Sequence, residues 1–184
     1  SVRMRSTYFA AGTAAAVAAG MGPLSVGTDG AGSVLIPAAF CGNFGLKPSF
    51  GRVPAYPLSP MGTVAHLGPM TRSVEDAALM LNVLSLPDAR DWHSLPHDAR
   101  DYRIGLDDGV KGLRIAFSAD LGYAKVDPEI GGIVKKAVRK FQDLGASVEA
   151  RDPGFENCGP LFAAHWFPGA AYIVRNISPR KRVL

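Results

Sequence analysis

The sequence predicts an α/β fold, and three observations carry that prediction. A strand, a well-signalled helix and a second strand follow one another between residues 113 and 150. A short apolar run at 24–28 leads straight into a glycine-rich turn and a further helix start. Two segments with helical spacing, 12–22 and 71–84, flank that turn in the chain. A strand, crossover helix and strand of the length found at 113–150 favour parallel pairing and a right-handed connection.

Taken in order, "GTAAAVAAGMG" (12–22) reads as a small-residue helix with Ala14 to Ala19 as its body and Gly20 or Gly22 as its stop. "LSVGT" (24–28) reads as a short buried strand. "VLIPAAF" after Ser33 fits a short helix only if Pro37 lies in its first turn. From Cys41 to Pro69 the chain is dense in glycine and proline, which suits an ordered excursion or several short strands. In "TRSVEDAALMLNVL" (71–84), Ser73 and Asp76 have the spacing of a capping box, and Ala77, Ala78, Leu81 and Leu84 form an apolar face. Residues 87–110 are polar and turn-rich and read as a surface connection between a segment 1–86 and a segment 111–184. In the latter, Asp127 and Pro128 start a helix whose apolar residues Ile130, Ile133, Val134, Ala137, Val138, Phe141 and Leu144 keep helical spacing until Gly145. "LRIAFS" (113–118) and "ASVEA" (146–150) are its flanking strands.

Composition narrows the function classes. With 47% hydrophobic and 20% charged residues, the 184-residue chain fits an ordinary globular protein with a real core. The alanine-rich stretch 10–19 is too short and too weakly apolar to span a membrane, and no secretory pattern opens the sequence, so a cytoplasmic protein is expected. Cys41 and Cys158 stand far apart without metal-ligand spacing, which fits reduced thiols. The net charge of +4 gathers on Lys135, Lys136, Arg139 and Lys140 and on Arg175, Arg180, Lys181 and Arg182. The first set lies opposite an apolar stripe without interleaved aromatics, which reads as a solvated helix face, and no nucleic-acid partner is expected.

The turn in "GTDGAGSVLIP" (27–37) is the candidate site. Ser33 follows Gly30, Ala31 and Gly32, residues small enough to let another molecule approach the backbone N–H groups. That arrangement suits a nucleophile beside an oxyanion hole, and it equally suits a plain capped turn. Among the other residues, His93 and His97 are separated by Pro96, which disfavours a shared helix face for a metal. A pairing of Ser33 with His66 is a further arrangement to test. Trp92, Trp166 and Phe167 read as cover for a core edge. The phosphate-binding Gly-x-x-x-x-Gly-Lys pattern is missing.

The string "AAAVAAGMGPLSVGTDGAGSVLIPAAFCGNFGLKPSFGRVP", followed by "GPMTRSVEDAALMLNVL", resembles the amidase signature family. The later "GVKGLRIAFSADLGYAKVDPEI" and "LGASVEARDPGF" resemble it more loosely. The resemblance implies a mixed β-sheet flanked by helices, incomplete at both ends in this chain. It also implies an amide hydrolase that needs no cofactor or metal and acts on a small-molecule amide through a triad of lysine, relay serine and nucleophilic serine. Matched by position, Ser33 takes the nucleophile's place. The amides of Gly30, Ala31, Gly32 and Ser33 take that of the oxyanion hole, and Thr28 and Asp29 that of a supporting pair. Ala31 stands where the family usually has glycine, which matters if that residue needs a positive φ.

The resemblance also fails at defined positions. Phe9 falls on the relay serine, with Ser6, Thr7 and Thr13 as the nearby hydroxyls, and Leu35 replaces a usual arginine. The family's lysine belongs upstream of the matched stretch, and Lys47 is a different motif element. An impaired or inactive amidase is therefore expected, with a non-catalytic amidase-like module as the rival. The amidase subunit of a tRNA-dependent amidotransferase ranks lower, because residues 87–110 and those after Gly154 do not resemble that subunit. Strand edges and apolar faces left without neighbours predict a homo-oligomer.

Overall fold

The computed structural model describes residues 10–175. Residues up to 104 together with those from 163 form one compact unit, and residues 105–162 form a second.

In the first unit, α1 (Ala10–Ala18) stops where Gly20 takes a φ of +73°, and β1 (Leu24–Asp29) follows. Next come α2 (Leu35–Cys41), β2 (Phe44–Gly45), a 3-10 turn over Gly62–Val64, β3 (His66–Thr71) and α3 (Val74–Leu84). Pro37 sits in the first turn of α2, the place where its missing N–H costs nothing. The three strands pair antiparallel in the order β1-β3-β2.

β1 is not the buried strand expected from its apolar residues. It is an edge strand with β3 on one side only, and Leu24 and Val26 are exposed. The buried centre is β3, whose Gly68, Pro69, Met70 and Thr71 are all buried. Its "GP" step looks like a turn signal in sequence. In place, a Cβ on Gly68 would collide with the Leu46 carbonyl, so glycine lets the β2 segment lie close. The Pro69 carbonyl accepts from Leu46 N–H at 3.1 Å. Ala14, Val34 and Met70 make the core cluster, with Cys41 packed on it, and Asn43 Nδ2 donates to the Ala14 carbonyl at 2.7 Å.

α3 starts as its sequence implies. Ser73 Oγ accepts from Asp76 N–H at 3.1 Å, and Ala77, Ala78 and Leu81 are buried. The connection after α3 is more tightly held than a surface loop needs. Asp91 is buried and accepts from Ala55 N–H at 2.8 Å and His93 N–H at 2.9 Å. Asn82 donates to Asp101 and accepts from Tyr102 N–H.

The second unit holds β4 (Arg114–Phe117), α4 (Pro128–Asp143) and β5 (Ser147–Ala150), a parallel pair joined by its crossover helix. Asp127 caps α4 by accepting from Glu129 and Ile130 N–H, and Gly145 follows at a φ of +92°. The apolar face of α4 is open, with Ile130, Ile133, Val134, Phe141 and Leu144 all exposed. α5 (Gly159–Val174) begins in this unit and continues into the first, and its sequence gives little helical signal because Pro168 interrupts the pattern.

Candidate active site

β1 delivers Asp29 to the sheet end opposite His66, and the chain then turns through Gly30, Ala31 and Gly32 to Ser33. The turn is built by one side chain. Asp29 is 2% exposed, and its two carboxylate oxygens accept from Gly32 N–H at 2.6 Å and from Val34 N–H at 2.9 Å. A buried carboxylate needs such donors, and two backbone amides bonded to one carboxylate hold the segment between them in a single shape. The Gly32 carbonyl then accepts from Ile36 N–H at 2.8 Å, which leads into α2.

Three consequences follow for the turn. Gly32 has a φ of +96° and a Cβ there would meet Ile36 Cδ1, so glycine is required. Ala31 has no positive φ, and it is exposed, so its methyl group fits without strain. Gly32 N–H is already committed to Asp29, whereas Gly30, Ala31 and Ser33 N–H make no bond to that carboxylate.

The remaining candidate residues lie as follows. Ser33 is half-buried, and its hydroxyl has no hydrogen-bond partner among the described residues. Thr28 is exposed and its hydroxyl likewise has none among them, so Asp29 alone of the expected supporting pair braces the turn. Leu35 is exposed. Lys47 Nζ donates to the neighbouring Pro48 carbonyl at 3.0 Å. His66 Nδ1 donates to the Val64 carbonyl at 3.0 Å and its ring meets Phe50 edge-on at 5.8 Å; no hydrogen bond joins it to Ser33. His93 lies 3.7 Å from Asp91 through Nδ1, and its ring centre is 5.5 Å from that of Phe50. Among the described residues no three His, Cys, Asp or Glu side chains converge on a common point. Phe9, Ser6 and Thr7 lie outside the described residues.

One contact of the turn is not visible in the sequence. Trp166, on α5, stands against the turn: a Cβ on Gly30 would lie 2.8 Å from its Cζ3 and 3.6 Å from its Cη2. The two residues are far apart in the chain, and no local pattern announces the contact. Trp92 and Phe167, grouped with it as core cover, are instead 91% and 68% exposed.

Comparison with known proteins places the chain. The family model described as Amidase matches residues 10–178. An acylamidase of Rhodococcus erythropolis is 43% identical over 159 residues, covering 85% of this chain and 33% of the relative. The A subunit of glutamyl-tRNA(Gln) amidotransferase from Salinibacter ruber is 46% identical over 144 residues, covering 75% and 27%. The solved structure of a bacterial aryl acylamidase of the amidase signature enzymes superposes with a TM-score of 0.80 at 37% identity, over 94% of this chain and 36% of that one. The chain belongs to the amidase signature family and spans about a third of the length of these relatives.

The A subunit of glutamyl-tRNA(Gln) amidotransferase from Thermotoga maritima superposes over 94% of this chain with a TM-score of 0.76 at 28% identity.

Proposed function

We propose that the Ser33 turn is the nucleophile site of a carboxylic amide hydrolase, with turnover by this chain impaired by Phe9 at the relay position. The observation that carries the reading is the Asp29 brace, which fixes a serine at the end of a tight turn with neighbouring amides left unbraced. Ser33 Oγ attacks the amide carbonyl and the Gly30, Ala31 and Ser33 amides stabilise the oxyanion. A well-placed donor of this kind is worth about 3 kcal/mol of transition-state stabilisation. Collapse of the tetrahedral intermediate expels the amine, and water then releases the carboxylic acid. The hydroxyl needs a base, and phenylalanine cannot relay a proton. What remains is the residual catalysis of the oxyanion hole and binding. The site is expected to act in the cytoplasm on a small-molecule amide without a cofactor.

The test is hydrolysis of a panel of simple amides, with release of amine as readout and Ser33→Ala as control. Slow release that disappears in Ser33→Ala is expected. Release that persists unchanged in Ser33→Ala sinks the reading, and no release by folded protein favours the non-catalytic module.

A second reading comes from the similarity to the A subunits of amidotransferases. It makes the chain's action dependent on a complex with other subunits. Ser33-dependent amide hydrolysis that appears only when a partner subunit is added distinguishes it from the first.

A further inference from the structure

We propose that Trp166 is a specificity-determining residue of the Ser33 site and that the site prefers an amide bearing a flat aromatic group on its carbonyl carbon over a small alkyl one. The inference rests on the reading of Ser33 as the nucleophile.

Gly30 has no positive φ, so backbone conformation does not demand glycine there. What demands it is the six-membered edge of the Trp166 indole. A Cβ on Gly30 would lie 2.8 Å from Cζ3, 3.6 Å from Cη2 and 3.7 Å from Cε3, closer at its nearest than side chains pack. The indole edge is therefore in contact with the residue whose N–H is the first proposed oxyanion donor. Trp166 is only half-buried, and Ala31 and Ser33, in the same turn as Gly30, also keep accessible surface. Three residues on along α5, Gly169 is buried against Met61 and the Pro60 carbonyl, where any side chain would collide. Residues three and four apart share a helix face, so the seat of Gly169 fixes the face that presents Trp166. A carbonyl held by the Gly30 and Ala31 amides thus brings its substituent beside an anchored aromatic surface, where a flat ring gains both apolar burial and offset or edge-on contact.

Trp92 and Trp166 are the chain's two tryptophans, and Trp92 is 91% exposed, so a Trp92→Phe protein reports on Trp166 alone. Benzamide is expected to change its emission saturably, binding about tenfold more tightly than acetamide, and Ala31→Phe, which fills the open side of the turn, is expected to abolish the titration. By equilibrium dialysis, Trp166→Ala is expected to bind the two amides about equally. No saturable change with benzamide, a titration that survives Ala31→Phe, or a preference that survives Trp166→Ala overturns the proposal. Failure here is separable from failure of the nucleophile reading: Ser33-dependent amine release that continues without any aromatic preference removes Trp166 from the site and leaves Ser33 in it.

Discussion

Asp29 is the buried acid on which the Ser33 turn depends. Its carboxylate is buried and both oxygens accept backbone amides, so its removal leaves two donors without partners. Asp29→Ala is expected to cost about 2–4 kcal/mol by denaturant unfolding. Gly32 has the opposite dependence, on having no side chain. Gly32→Ala is expected to cost about 1–3 kcal/mol, through a positive φ and the clash with Ile36. Ala31→Gly, at an ordinary φ, is expected to change stability by less than about 1 kcal/mol. The difference between these two neighbours is not legible in sequence. "GAG" shows three small residues, and which of them needs a left-handed backbone depends on how Asp29 draws the turn around itself. Asp29 as a brace is legible, whereas Thr28 beside it shares no such role among the described residues.

Elements with local signals are legible in the sequence. α3 begins at its capping serine and α4 at its Asp-Pro pair, because caps and first-turn prolines satisfy or remove amides that a helix start leaves unpaired. Ser73→Ala is expected to lower stability by about 1 kcal/mol, measured by thermal or urea unfolding. β3 is hidden because glycine and proline in a central strand contradict strand propensity. The closeness of Leu46, contributed by another stretch of chain, explains the glycine. The connection after α3 carries its own pH dependence. Arg90 donates to Asp88 through its guanidinium and then its backbone N–H, holding that carboxyl at about 2 rather than 3.8. Arg103, with help from Asn82, holds Asp101 well below the usual carboxylate range. Both acids are depressed in the fold, so their stabilising contribution is present above about pH 4 and lost as pH falls towards 2. Both pairs are solvent-exposed and the effect is correspondingly small. Asp88→Asn is expected to reduce the change in urea midpoint between pH 6 and pH 3, and an unchanged difference contradicts the assignment.

For the whole molecule, the α/β character and the strand–helix–strand segment are predictable because their hydrophobic periods are regular. The passage of α5 from one compact unit to the other is not, since it depends on contacts far apart in sequence. The exposed apolar face of α4 has a consequence in solution. Four large apolar side chains along α4 and Leu144 at its C-cap form a patch of the kind that drives association. Sedimentation velocity is expected to show self-association at micromolar concentration, reduced by Ile133→Lys. A stable monomer for the unaltered chain contradicts this.

The central claim, a serine nucleophile on an aspartate-braced turn with a broken proton relay, is tested most directly by fluorophosphonate labelling and peptide mapping of the folded protein. Labelling confined to Ser33, absent in Ser33→Ala and much slower than that of an intact serine hydrolase, is the predicted result. Rapid stoichiometric labelling contradicts the broken relay, and a folded protein that never labels at Ser33 contradicts the nucleophile itself.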